Sequence, residues 1–129
     1  PKTFLVAEAE DKIAGYVLCR IELGPSEFHK DRMTQKGHVV SIAVLSEYRR
    51  RGIGKSLMLA SLNAMLEYKA SESFLEVRVS NHPAISLYKE LGFVIARKIP
   101  EYYHDGEDAY VMALDLLGKN LSNESLKAY

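Results

Sequence analysis

Hydrophobic and polar residues alternate over two stretches near the start of the chain, residues 3–8 and 13–22. A period of two is typical of β-strands, and the polar residues 10–12 between the stretches resemble a turn. The pattern therefore predicts a β-hairpin. A glycine–proline pair opens residues 24–37, which are polar and without periodicity, and these predict a surface loop or insertion.

A short, nearly continuous apolar run follows at residues 38–45. Such a run predicts a strand buried on both faces, as in a parallel sheet covered by helices. From Gly52 the apolar period lengthens to that of an amphipathic helix, which we expect to end near Lys69. The apolar stripe comprises Ile53, Leu57, Ala60, Ala64 and Tyr68.

The remaining pattern repeats strand and helix once more. Residues 74–80 have strand character, and Asn81 is a candidate N-cap for a helix that ends before Gly92. Residues 93–99 and 109–116 are two further strands. The loop between them contains an Asp-Gly turn signal, and the order of elements predicts an α/β fold with a mixed sheet, antiparallel early and parallel in the middle through a right-handed crossover.

Length and composition limit the function classes. A chain of 129 residues is the size of one domain, and we assign residues 1–116 to it and 117–129 to a C-terminal tail. Its 17 basic and 17 acidic residues give a net charge of zero, so no overall field attracts nucleic acid or acidic membranes. With no apolar stretch of the ~20 residues that span a bilayer and no signal pattern, a soluble, cytoplasmic protein is expected.

Cys19 is the single cysteine, which excludes an intramolecular disulfide and a closed cysteine-based zinc site. A reducing compartment is the simpler interpretation, and we predict no metal site. Cys19 lies in an alternating strand pattern, where a buried cysteine usually serves as a small hydrophobe rather than as a nucleophile.

The densest basic cluster, Arg49-Arg50-Arg51, directly precedes Gly52-Ile53-Gly54-Lys55 at the start of the predicted helix. An arginine run alone is typical of a solvated helix entrance. Glycines, however, let a backbone approach a phosphate, and the free N–H groups of a first helical turn bind anions. A Walker A loop would need glycine at position 49, and a Rossmann fingerprint would need one at position 57, so both alternatives are weak.

The pattern Arg/Gln-x-x-Gly-x-Gly/Ala between a strand and a helix resembles that of the GNAT acetyltransferases. Four other segments of the chain resemble the same family in order and spacing, and the resemblance extends over residues 3–116. Within the family it resembles the archaeal N-terminal acetyltransferases, relatives of the NatA catalytic subunit and of ribosomal-protein alanine acetyltransferases. The segments are 38–44, 75–81, 84–93 and 102–110.

The resemblance implies a GNAT fold, a mixed central sheet with helices on both faces. Family members place a strand and two helices before the first hairpin, and a loop between those helices forms one wall of the acceptor groove. We expect this chain to lack that segment. The implied activity is acetyl transfer from acetyl-CoA to the α-amine of peptide or protein N-termini. A lysine or small-amine acetyltransferase, or a catalytically silent coenzyme A-binding module, stays open, as does ribosome association.

The resemblance also assigns coenzyme contacts. Backbone groups of residues 42–44 would hold pantetheine and the thioester carbonyl, which a backbone N–H at a strand bulge would polarise. Residues 50–55 would hold the pyrophosphate, and four residues of the second helix region would also contact the coenzyme. The full set is Ile42, Ala43, Val44, Arg50, Arg51, Gly52, Ile53, Gly54, Lys55, Asn81, Tyr88, Lys89 and Glu90.

Four residues are implied in the chemistry itself. Tyr88 matches a tyrosine that protonates the leaving thiolate, and His38 and Glu76 match positions that hold a water acting as base. Tyr103 matches a tyrosine that contacts the peptide. Each has a structural alternative. Tyr88 could pack in the core or at an interface, and Tyr103 could merely pack against Tyr102 and hydrogen-bond a turn. His38 could be a capping or satisfied core histidine, and Glu76 could form an ion pair with Arg78.

Overall fold

The computed structural model describes residues 2–9, 13–44 and 52–118. They form a six-stranded sheet with the order β1-β2-β3-β4-β6-β5, in which β3 and β4 are parallel and the other neighbours are antiparallel. The predicted mixed α/β sheet is therefore confirmed. The elements are β1 (Lys2–Ala9), β2 (Ile13–Pro25), β3 (Met33–Val44), α1 (Ile53–Glu67), β4 (Glu72–Arg78), α2 (His82–Glu90), β5 (Val94–Ile99) and β6 (Ala109–Asp115).

Several sequence predictions concern residues outside the described ranges. These are the hairpin turn at residues 10–12, the arginines at positions 49–51, and the tail from residue 119 onward. Within the described ranges, no helix is long and apolar enough to cross a membrane.

The predicted surface loop at residues 24–37 is wrong over half of its length. Strand β2 continues to Pro25 and β3 begins at Met33, so the connection is only residues 26–32. The strand pattern was hidden because Lys36 is buried yet charged. Its ammonium Nζ donates to the Pro25 carbonyl at 2.7 Å and to Glu27 Oε2 at 2.8 Å, and it lies 4.3 Å from the centre of the Phe74 ring.

Both described helices contribute to one core cluster on one face of the sheet. Strand β4 alternates, so that Leu75 and Val77 join the helices while Phe74 points to the opposite face. On that face the described residues provide only a smaller cluster with Val111 and Ala113. Helices on both faces were expected, whereas the two described helices share one face because the large apolar side chains of β4 and β6 are concentrated there.

The predicted strand at residues 38–45 is confirmed as far as Val44, the last described residue of the stretch, but it is not buried on both faces. Val39 is 4% exposed and joins the core, whereas Val40 is 39% exposed. At the start of this stretch α1 lies very close to the sheet: a Cβ on Gly37 would fall 2.3 Å from the Met65 sulfur. A larger residue at position 37 would therefore force the Met65 side chain to move.

Candidate active site between strands β3 and β4

The two central strands, β3 and β4, are hydrogen-bonded to each other over only part of their length. Pairing between β3 and β4 runs from Lys36 opposite Glu72 to His38 opposite Phe74. Strand β3 nevertheless continues to Val44, paired on its other side with β2. The two strands therefore open a cleft beyond His38, and residues 42–44, which the resemblance assigns to pantetheine, line the β3 side.

A β-bulge lies at the mouth of this opening. Ser41 is opposite Leu18 and Val39 is opposite Cys19, so Val40 is the extra residue on β3. A bulge leaves a residue outside the ladder and re-aims the neighbouring backbone groups. The strand bulge implied by the resemblance is present, next to Ile42.

The first turn of α1 has the backbone geometry of an anion site. Gly52 is the N-cap residue with φ of 78° and ψ of 7°, a left-handed conformation that favours glycine. The first turn carries no acidic side chain. At Gly54 an added Cβ would make only ordinary contacts, 3.8 Å from Leu87 and from Val44, so packing within the protein does not itself require glycine there.

The predicted coenzyme residues of α2 lie at its two ends. Asn81 Oδ1 accepts a hydrogen bond from the Ala84 N–H at 3.3 Å, so its predicted N-cap role is confirmed. At the other end Glu90 Oε1 accepts from Lys55 Nζ at 3.0 Å, which links α2 to the first turn of α1. Lys89, in the last turn, is exposed.

His38 and Glu76 meet where the strands separate. His38 Nε2 lies 2.7 Å from Glu76 Oε1, and both side chains are partly exposed, 17% and 16%. The imidazole stacks on the Phe74 ring with centroids 4.3 Å apart and an interplanar angle of 7°. The expected alternative for Glu76, an ion pair with Arg78, is wrong because Arg78 bonds to Asp105 and Glu107 instead.

Tyr88 is 6% exposed and packs on Phe93, with ring centroids 6.0 Å apart. Burial, and secondarily the charge of Tyr103, raises the pKa of Tyr88 above its ordinary value. A tyrosine with a raised pKa is fully protonated at neutral pH and can donate its proton.

The loop between β5 and β6 brings Tyr103 to the same region. Its ring stands edge-on to Tyr102 at 5.0 Å, and the Arg78 guanidinium lies 4.1 Å from its centre. Burial raises the pKa of Tyr103, and the nearby charges of Tyr102, Glu76 and Glu107 add to this while Arg78 opposes it. Tyr103, Glu76 and Tyr88 are thus electrostatic neighbours.

Sequence reasoning missed the part played by Arg78 and the loop acids. The signal was available: Glu76 and Arg78 stand two residues apart on one strand and so share a face. The prediction that Cys19 is a core residue is confirmed, since its side chain is 0% exposed. No group of three or more histidine, cysteine, aspartate or glutamate side chains is placed to hold a metal within residues 2–9, 13–44 and 52–118.

A splayed parallel strand pair, a bulge and a glycine-led helix match an acyl-CoA transferase. The Acetyltransferase (GNAT) family model matches residues 1–93. The chain therefore belongs to the GNAT acetyltransferase family, and the predicted family and fold are confirmed.

The similar curated relatives carry a narrower name. An N-alpha-acetyltransferase of Sulfurisphaera tokodaii is 55% identical over 115 residues, which are 88% of this chain and 69% of that protein. The N-terminal acetyltransferase A complex catalytic subunit NAA10 of Arabidopsis thaliana is 42% identical over 122 residues, 92% of this chain and 60% of that protein.

Solved structures agree with the fold. Chaetomium thermophilum Naa20 in complex with a bisubstrate analogue has a TM-score of 0.74 at 31% identity, covering 85% of this chain and 64% of that one. The ribosomal-protein-S18-alanine N-acetyltransferase of Escherichia coli has a TM-score of 0.73 at 30% identity, covering 93% and 74%.

Proposed function

We propose that this protein transfers the acetyl group of acetyl-CoA to the N-terminal α-amine of peptides or proteins, by direct attack in a ternary complex. The observation that carries the proposal is the His38–Glu76 pair at the point where β3 and β4 separate. The names of the relatives, N-alpha-acetyltransferase and NAA10, support the same activity.

On the coenzyme side, the opened edge of β3 offers backbone groups of Ile42, Ala43 and Val44 to the pantetheine arm. Among the described residues, β4 pairs with this edge only as far as His38. The bulge at Val40 directs a backbone N–H toward the thioester carbonyl, where a fixed donor stabilises the developing oxyanion.

The pyrophosphate would lie at the start of α1. Its first-turn N–H groups and the positive end of the helix dipole favour an anion. Gly52 and Gly54 permit close backbone approach, and Lys55 supplies a charge whose present partner, Glu90, is itself 61% exposed. Arg50 and Arg51 are assigned to the same phosphates, and Asn81, Lys89 and Glu90 to neighbouring coenzyme contacts, by the family pattern.

The His38–Glu76 pair suits an α-amine better than a lysine. An α-ammonium group has a pKa of ~7.7–8.0 and is partly neutral at pH 7, whereas lysine at ~10.4 is almost wholly protonated. A water bound beside the His38–Glu76 pair would take the proton that the attacking amine loses. Such a weak relay is sufficient only for the more acidic amine.

Tyr88 serves as the acid that protonates the departing coenzyme A thiolate. Its ring is held by helix α2 and by packing on Phe93, and its raised pKa keeps the hydroxyl proton available. Tyr103, with Tyr102, forms an aromatic wall that narrows the acceptor side and favours a chain end over a side chain in mid-chain.

The test compares two peptides that differ only at the N-terminus and at one internal position. One has a free N-terminus and no lysine, and its twin has a blocked N-terminus and one internal lysine. Product formation with acetyl-CoA is followed by mass spectrometry. We expect the free-amine peptide to react at least tenfold faster. Equal rates would indicate a lysine or small-amine acetyltransferase, and acetyl-CoA binding without any product would indicate a silent binding module. A cytoplasmic location is part of the same proposal.

A further inference from the structure

Arg78 is the last residue of β4, and its side chain contacts the β5–β6 loop. Its Nη1 donates to Asp105 Oδ2 and to Glu107 Oε1, both at 2.9 Å. The guanidinium carbon also lies 4.1 Å from the centre of the Tyr103 ring. One side chain thus contacts three residues of the loop at once.

The loop acids are themselves fixed. Glu107 Oε2 accepts from the Ser80 N–H at 3.0 Å, and Asp105 Oδ1 accepts from the Glu107 N–H at 3.0 Å. The Tyr103 N–H donates to the Glu107 carbonyl at 3.1 Å. Glu107 therefore holds the backbone of Tyr103, and the Arg78 guanidinium contacts the face of its ring.

These contacts contribute little to global stability. The Arg78 side chain is 40% exposed and Asp105 is 62% exposed, and exposed ion pairs typically add little to the free energy of folding. Their directional effect is larger, because a planar guanidinium fixes carboxylates and an aromatic ring in one relative orientation that an ammonium group does not reproduce. The chemistry of Arg78 thus points to orientation of Tyr103 rather than to folding.

We infer that Arg78 is a positioning residue for the acceptor: through Asp105 and Glu107 it holds the Tyr103 ring in place to contact the incoming peptide. The inference rests on the proposed function. In this inference Arg78 acts through Tyr103 and not directly on the coenzyme or the reacting amine. Affinity for the peptide should therefore depend on Arg78, while acetyl-CoA binding should not.

The experiment uses Arg78→Met, which keeps the length of the stem but removes the donors, the charge and the planar group. We expect the peptide KM to rise about tenfold, equivalent to ~1.4 kcal/mol, with kcat within about twofold and the acetyl-CoA Kd unchanged. Arg78→Lys should restore only part of the loss. Arg32→Met, at an exposed loop arginine, is the matched control and should leave KM unchanged.

A double-mutant cycle separates positioning from a direct effect. Because Arg78 acts through Tyr103, adding Arg78→Met to Tyr103→Leu should raise KM no further than Tyr103→Leu alone. Additive increases would overturn the inference, as would an unchanged KM in Arg78→Met.

Hydrogen exchange of residues 100–108 in the protein without substrate provides an arm that does not need activity. Arg78→Met should exchange faster there, and Arg32→Met should not. If the unaltered protein binds acetyl-CoA but acetylates no peptide, the proposed function fails and this arm alone decides the inference. Unchanged exchange in Arg78→Met would then refute it.

Discussion

His38 Nε2 lies 2.7 Å from Glu76 Oε1, although 38 positions separate the two residues in the chain. The residue opposite His38 in the sheet is Phe74, so Glu76 stands two positions farther along β4 on the same face. The pair therefore spans the start of the opening between the strands. A proton acceptor is placed where the proposed amine would attack, which makes the pair the first target for mutation.

Glu76→Gln and His38→Asn should each lower kcat/KM for a free-amine peptide by about 10²-fold, the lower end of what a general base contributes. Both side chains hold one water in the proposal, so the double variant should be little worse than either single one. Steady-state kinetics at saturating acetyl-CoA measures this. Fully additive losses would show that the two residues act separately.

Tyr88→Phe should reduce kcat about 10²-fold with an unchanged acetyl-CoA Kd, because only the proton donor is lost while the ring still packs on Phe93. Burial raises the pKa of Tyr88, so in the unaltered protein its deprotonation should not limit kcat below about pH 10. A pH series of kcat tests both points. Tyr68→Phe, at the end of α1, is the control, and equal kcat values for all three proteins would make Tyr88 purely structural.

Gly54→Val should weaken acetyl-CoA binding at least tenfold, about 1.4 kcal/mol, because a branched side chain blocks backbone approach to the pyrophosphate. A Cβ at this position makes only ordinary contacts in the protein, so the fold should persist. Calorimetric titration gives the affinity. Asn63→Val, at an exposed position of the same helix, controls for the cost of a β-branched residue in α1. Identical affinities in the two variants would remove the phosphate assignment.

Glu27→Gln should destabilise the fold by ~1–3 kcal/mol at pH 7, because it removes the charge partner of the buried Lys36. Burial alone would raise the pKa of Glu27, but hydrogen bonds from Lys36 and Arg97 and their charges lower it overall. A carboxyl with a lowered folded-state pKa stabilises the fold above its unfolded-state pKa, and this contribution is lost as the pH falls through the folded value.

Urea unfolding at neutral and acidic pH measures this difference. The gap between Glu27→Gln and the unaltered protein should shrink as the pH drops below the usual carboxyl range. Glu22→Gln is the control, because Glu22 is 35% exposed and its contact with Arg20 is long, at 3.9 Å. A pH-independent gap would mean that the Glu27 charge is not the cause.

The sequence alone determined the order and type of the elements, because hydrophobic periodicity is local: the helix starting at Ile53, the N-cap at Asn81 and the strands that carry His38 and Glu76 were all predicted. It also determined the family, because the glycine pattern and its spacing lie within a few residues. Lys36 is charged but buried, because it pairs with Glu27. A buried charge breaks the alternation by which a strand is recognised, so the loop at residues 24–37 was predicted too long.

Only the tertiary structure decided which side chains meet. That Glu76 bonds to His38 while Arg78 holds Asp105 and Glu107 follows from the strand register and from the path of the β5–β6 loop. Likewise, the end of β3–β4 pairing at His38 and the bulge at Val40 depend on contacts between strands far apart in sequence. Register and side-chain partnership are set by the packing of the whole sheet, so no local pattern contains them.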